Sequence, residues 1–358
     1  MKKMSKLVAL ALALVMALSL TVTAGAEETT TAQDMAGSIV ILHTNDVHGA
    51  IGGYAKVAAL KDSYEDRGAY VLLLDAGDFI QGDPTVSTSQ GATAVELMNL
   101  AGYDLAAPGN HEFDYGYENL TKLSKEAKFP IVAANVLYNG KVAFEDNVVF
   151  TAPDGTKIGV FGLDTPETAT KAHPAKIQGV TFLAGQEMFD CAQKQVDTLK
   201  AEGCDYIVCL GHLGIDAEST GNRSVDLLEK VSGINFFIDG HSHSTMEDIA
   251  AVAPGNKVGD TYVTSTGTKL ENVGVITIDP AQAKTTVETK ALADLTVTPV
   301  QEVADRAAAI QAEIDKAYGT AFAKTEVDLN GEKDPGNRTQ ETNLGDLICD
   351  ALVWGAEK

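Results

Sequence analysis

Five polar clusters interrupt this chain, and each begins where an apolar run stops. "SIVILHT" ends in Asn45-Asp46, "YVLLLD" in "AGDFIQGD", "YDLAA" in "PGNHEFDYG", "CDYIVCL" in "GHLG" and "INFFI" in "DGHSHS". The stretches between them, "GGYAKVAALKDSYEDRG", "GATAVELMNLAG", "GQEMFDCAQKQVDTLKAEG" and "NRSVDLLEKVSG", have helical apolar spacing and glycine stops. This alternation predicts an α/β domain with a largely parallel sheet. In such sheets ligands gather outside the carboxyl ends of the strands. Asp46 and His48, Asp78, Asn110 and His111, His212, and His241 and His243 are therefore expected at one edge. The later "TYVTSTG" and "NVGVITID" lack an intervening helix and predict antiparallel pairing at the end of the domain.

The residue types at that edge have a common chemistry. Of seven histidines, five fall in the clusters. Asp46 and His48, like His241 and His243, stand two apart, so both members can face one side of an extended segment. Carboxylate, imidazole and amide groups without thiolate suit Zn, Mn, Fe or Co rather than calcium. They are too many for one tetrahedral ion, and two ions sharing a carboxylate fit them better. Taken singly, Asp46 or Asp78 reads as a helix or turn cap, His48 or His212 as a loop histidine, and Asp114 as an Asx turn. The ordered set overturns those readings, because caps need no histidine at four strand ends. For other residues the plain reading stands. His173 is a solvated loop residue, His43 supports the edge from its strand, Asp75 fixes the turn before Asp78, and Glu112 is a surface or supporting charge.

The N-terminus reads as an export signal. Lys2, Lys3 and Lys6 precede the apolar "LVALALALVMALSL", and Ala24-Gly25-Ala26 fits a cleavage site. A secreted, cell-surface or periplasmic location follows, with no membrane span after cleavage. The formal charge of −23 repels phosphate backbones and argues against duplex nucleic acid as a partner. Small phosphorylated molecules remain compatible if cations supply local positive charge. Four cysteines lack any C-x-x-C spacing, so they read as small buried thiols rather than as a zinc site.

"ILHTNDVHG", "LLLDAGDFIQG", "PGNHEFDYG", "CLGHLG" and "IDGHSHS", in this order, resemble the calcineurin-like metallophosphoesterases. More closely they resemble the bacterial 5′-nucleotidase and UDP-sugar hydrolase family, over essentially the whole chain after the leader. The resemblance implies a β-sandwich flanked by helices in four αββα layers. It also implies two divalent ions (Zn, Mn, Fe or Co), with Asp46, His48 and His243 on the first, Asp78 bridging, and Asn110, His212 and His241 on the second. His111 would meet the phosphate and the leaving oxygen, Asp114 would hold its ring, and Asn110 would touch both metal and phosphate. The reaction implied is hydrolysis of nucleotides by in-line attack of a metal-bound hydroxide, with His111 assisting the leaving group. The alternatives are a 2′,3′-cyclic-nucleotide phosphodiesterase or UDP-sugar pyrophosphatase on the same site, and, from another class, a non-catalytic metal-binding or surface interaction module.

The expected organisation is a signal peptide at 1–26, a leader at 27–36, a metallophosphoesterase domain at 37–294 and a linker helix at 295–322. The segment 323–358 carries Arg338, Glu341, Leu344 and Gly345, which resemble the start of the family's second domain. It reads as the truncated beginning of that domain.

Overall fold

The computed structural model describes residues 34–321 and 323–358, so the signal segment and most of the leader lie outside the described residues. The chain divides into two compact units, the first ending at Ile310 and the second running Gln311–Lys358.

The first unit holds two large sheets rather than one. The first sheet has the order β14–β13–β1–β2–β3, with β1 at Ile39–Thr44, β2 at Tyr70–Asp75, β3 at Leu105–Ala106, β13 at Asn272–Asp279 and β14 at Lys284–Ala291. The second has the order β11–β12–β10–β9–β7–β6, with β6 at Asn147–Thr151, β7 at Lys157–Asp164, β9 at Tyr206–His212, β10 at Phe236–Ile238, β11 at Lys257–Val258 and β12 at Thr261–Thr264. A small third sheet joins β4 (Val136–Tyr138), β5 (Lys141–Val142) and β8 (Val180–Phe182). β1, β2 and β3 run parallel, as do β7, β9, β10 and β12.

The period of two along each strand builds three buried layers. Ile39 and Ile41 of β1, Leu72 and Leu74 of β2, Val208 and Leu210 of β9 and Ile238 of β10 meet in the seam between the sheets. Val40, Leu42, Val71 and Leu73 face the other way, onto helices α1 (Tyr54–Glu65) and α2 (Ala92–Ala101). Phe161, Ile207, Cys209 and Phe237 pack likewise under α4 (Gln186–Ala201), whose Met188, Ala192, Val196 and Leu199 are buried. A third helix, α3 (Tyr117–Glu126), follows the "NHEF" turn and buries Leu120 and Leu123. Helix, sheet, sheet and helix are the four layers, and strands buried on both faces account for the unbroken apolar runs.

Two sequence expectations are corrected by this topology. β13 and β14 do pair antiparallel, and β13 pairs antiparallel with β1. β12 pairs antiparallel with the short β11 but runs parallel to β10 on its other side. The short helix Met246–Val252 between β10 and β12 supplies the crossover that parallel pairing needs. The polar clusters also belong to the ends of two sheets, not to one edge. All four cysteines are free, but of the expected buried thiols only Cys209 is buried; Cys191 and Cys204 are partly covered and Cys349 is exposed. No helix among the described residues is long and apolar enough to cross a membrane.

Helix α5 spans Gln301–Tyr318 and buries Val303, Ala307 and Ile310 in the core of the first unit. The linker helix expected at 295–322 starts later, because Pro299 disfavours helix at Thr298 before it. In the second unit, α6 (Asn343–Ala356) is capped by Thr342, whose hydroxyl accepts from the Gly345 N–H. Its Leu347, Ile348, Leu352, Val353 and Trp354 are exposed.

Candidate metal centre and active site

The loops after β1 and β2 are joined by backbone bonds. The Asp46 N–H donates to the Gly77 carbonyl (2.9 Å) and the His48 N–H to the Asp78 carbonyl (3.0 Å). The second sheet is tied in by His212 at the end of β9, whose Nδ1–H donates 2.6 Å to the Ala76 carbonyl after β2. The cluster therefore forms across the mouth of the seam between the sheets.

Two buried carboxylates brace these loops. Glu112, fully buried, accepts from the N–H groups of Asp78 (2.7 Å), Phe79 (2.9 Å), Ile80 (3.2 Å) and Gly109 (2.6 Å). Asp239 does the same for the second sheet, accepting from Leu213, Gly214 and Gly240. Asn45 anchors Asp46 by donating 2.7 Å to its Oδ2, while Asn45 Oδ1 accepts from Thr266. Asp75 accepts from the Gly77 N–H, the turn role read from its position. His43 bonds Thr264 Oγ1 across the seam (3.0 Å), and His173 is an exposed loop residue.

Backbone strain concentrates here. Among the described residues eleven non-glycine residues have positive φ, and five of them are Asp46, His48, Asp78, His241 and His243. Asp and His tolerate this region better than most residues, but each such turn still costs about 1–3 kcal/mol. The approach is close as well. A Cβ at Gly109 would lie 2.4 Å from Asp78 Oδ1 and 2.6 Å from His212 Nε2.

Asp46, His48 and His243 each place a ligand atom within 4.8 Å of the others, and so do Asp46, Asp78 and His212. His48 Nδ1 donates 3.1 Å to the Gln81 carbonyl, so its Nε2 carries a lone pair, and that atom faces His243 Nε2 at 3.0 Å. His212 Nε2, 3.2 Å from Asp78 Oδ2, has no hydrogen bond, and neither has the buried Asn110 Oδ1. Asn110 is buried beside them, and the His111 N–H donates to Asp78 Oδ1 (2.9 Å). His241 stands apart from both groups of three. Its N–H donates to Asp46 Oδ2 (3.0 Å), but its Nε2 lies 3.1 Å from Glu167 Oε2.

The electrostatics of the protein alone are unbalanced. Burial pushes Asp46 up to about 7, against the pull of His212 and with the push of Asp78. Burial would raise Asp78 too, but the neighbouring rings of His212, His111 and His48 outweigh it and hold the group low. Burial opposes a charge on His212, yet Asp78, Asp46 and Asp164 raise its pKa well above the usual range. Buried carboxylates held in the protein alone by the proton on an imidazole, beside an unpartnered amide oxygen, are a place for cations. The nitrogen and oxygen donor set, without thiolate, fits two divalent ions of the Zn, Mn, Fe or Co kind.

At the opening, His111 Nδ1 donates 2.6 Å to Asp114 Oδ2. The His111 side chain is 33% exposed, so its other nitrogen can reach a ligand. Burial works against the charged ring, but the bond to Asp114 and the charges of Asp78, Asp114 and Glu112 prevail and raise its pKa. Its ring centroid lies 5.4 Å from that of His48.

Sequence reasoning missed Asn45, Asp239 and Glu167, and left Glu112 undecided. Glu112 and Asp239 had a signal, since each stands inside a cluster. Glu167 had none, because only the fold brings the loop after β7 beside His241.

This architecture and this constellation define a metallophosphoesterase scaffold. The profile of the family described as calcineurin-like phosphoesterase matches residues 39–245, and the chain belongs to that family. Among curated proteins it is 28% identical to the trifunctional nucleotide phosphoesterase protein YfkN of Bacillus subtilis (strain 168), over 91% of this chain and 24% of that protein. It is 29% identical to the 5′-nucleotidase of Homo sapiens, over 89% of this chain and 60% of that protein. Among solved structures, a 5′-nucleotidase precursor from Thermus thermophilus superposes with a TM-score of 0.71 at 27% identity, covering 89% of this chain and 67% of that one. The chain thus spans a quarter to three-fifths of the length of these two curated relatives.

Proposed function

We propose that the chain hydrolyses phosphate esters of small nucleotides, as a 5′-nucleotidase-type enzyme that holds two divalent ions. The observation that carries this reading is the His111–Asp114 pair, 2.6 Å apart, at the open side of the buried carboxylate and imidazole cluster. His111 belongs to neither group of three that could hold an ion, and its ring is partly exposed at the opening where a phosphate would arrive. When bound, such ions neutralise phosphate charge and activate water. Asp46, His48 and His243 would hold the first, Asn110, His212 and His241 the second, with Asp78 shared. Asp114 fixes the His111 ring through Nδ1 and favours its protonated form, so Nε2–H can donate to the phosphate and to the departing oxygen. Asn110 would touch both ion and phosphate. The signal peptide at 1–26 directs the protein out of the cytoplasm, and its substrates are small nucleotides or nucleotide sugars rather than duplex nucleic acid.

Likeness to a protein named a trifunctional nucleotide phosphoesterase favours a second reading. In it the same site also opens 2′,3′-cyclic nucleotides or nucleotide sugars. Turnover of AMP, UMP, 2′,3′-cyclic AMP, UDP-glucose and p-nitrophenyl phosphate, each with Mn²⁺ or Zn²⁺ and after chelation, tests both. Metal-dependent release of phosphate from the monophosphates is expected. A protein that binds ions but hydrolyses none of the panel is the non-catalytic module instead.

A further inference from the structure

Glu167 lies in the loop after β7, outside the ligand set, with its carboxylate beside that set. Oε2 is 3.1 Å from His241 Nε2 and 2.8 Å from Lys171 Nζ, and Oε1 accepts from the Ser219 hydroxyl. The carboxylate is therefore held from three sides. Being ionised, it can only accept, so the ring nitrogen facing it must carry the proton. Lys171 Nζ also lies 3.2 Å from His241 Nε2, but a protonated Nε2 has no lone pair to offer it. The ammonium instead donates to Glu167 and balances its charge. His241 has its backbone N–H on Asp46 and its ring centroid 5.2 Å from that of His212. The ring thus lies beside His212, with Nδ1 as its only lone pair.

We propose that Glu167 is a positioning residue of the metal centre, holding His241 as the Nε2–H tautomer so that Nδ1 is presented to the second ion. This rests on the two-ion reading above. A carboxylate behind a ligating histidine fixes ring orientation and raises ligand basicity, and its loss typically weakens metal binding about 10–100-fold.

The test uses the chain with Glu167→Ala and Glu167→Gln. In metal-stripped protein labelled with ¹⁵N-histidine, the expected His241 signals are a protonated Nε2 and a bare Nδ1. Glu167→Ala should lose that bias, and Glu167→Gln should keep it, since its amide oxygen still accepts. Titration with Mn²⁺ or Zn²⁺ should show one of two ions bound about 10–100-fold more weakly in Glu167→Ala. The other ion should be unchanged, and Glu167→Gln should stay within a few-fold of wild type. Glu167→Asp, which keeps the charge and withdraws it by one methylene, gives the same reading if the alanine variant fails to fold. Unchanged tautomer and unchanged affinity for both ions would overturn the role of Glu167 and leave the two-ion site standing. Fewer than two ions in the wild type would overturn the site and this role with it.

Discussion

At the scale of single residues, His111 and His43 are shifted in opposite directions, the first upward, against burial, by its carboxylate neighbours and the second downward by burial. His111 has Asp114 to hold its proton. We expect His111→Ala to leave metal content unchanged and to lower turnover by about 10²–10⁴, with a smaller loss for Asp114→Asn. Metal analysis beside kcat decides it, and loss of an ion from His111→Ala would mean that the ring is a ligand. His43 has only Thr264, and burial lowers its pKa from about 6.5 to about 3. In the unfolded chain it takes a proton below about 6.5, while in the folded protein it does not until about 3. Between those values the unfolded state binds more protons, so stability falls as pH falls, by about 1.4 kcal/mol per unit. His43→Asn should flatten that slope in melts of the stripped protein from about pH 6.5 to about pH 4.5. Parallel slopes would refute the assignment. The residues proposed for the chemistry stood out because aspartate and histidine at strand ends are rare together. Glu112 was not, because no pattern says whether a carboxylate faces water or four N–H groups.

At the scale of elements, the proposed site residues sit at the end of a strand or in the loop that follows it, where the chain leaves the ladder and must turn at the mouth of the seam. Gly109 shows how little room is left. A methyl there would meet Asp78 Oδ1 and the His212 ring. Gly109→Ala should cost about 1–3 kcal/mol of stability through overpacking and weaken metal binding by at least about tenfold. Isothermal titration with Mn²⁺ should register it, and wild-type affinity would show that the loop gives way. Strand and helix identities were readable from periodicity. The pairing partner of β12 was not, because seven helical residues at Met246–Val252 are too few to stand out. The two-layer split was also hidden from periodicity, since strands buried on both faces look alike whichever sheet they join.

At the scale of the whole molecule, the first unit does not stop where the domain motifs do. Val303 and Ile310 are 0% and 2% exposed against its core. A chain ending at Asp294 should lose roughly 1.5–3 kcal/mol for each, and one ending at Tyr318 should not. Thermal melts of the two would separate them, and equal Tm values would refute the claim. The apolar side chains of α6 lead to a further expectation. Leu347, Leu352 and Trp354 are more than half exposed on that one helix, and an uncovered stripe of this kind promotes association. Sedimentation should show self-association of the 358-residue chain that Leu347→Lys with Leu352→Lys abolishes. Monomeric wild type at high concentration would sink the idea.

The left-handed turns at 46, 48, 78, 241 and 243 also bear on how such sequences drift. Each holds a side chain where glycine would rest more easily, and on the proposed function it is the work of the site that keeps it there. A descendant freed from that work gains stability by substituting glycine or asparagine at these positions. A sequence that keeps the strands but shows glycine at several of the five can be read as one whose chemistry has been abandoned.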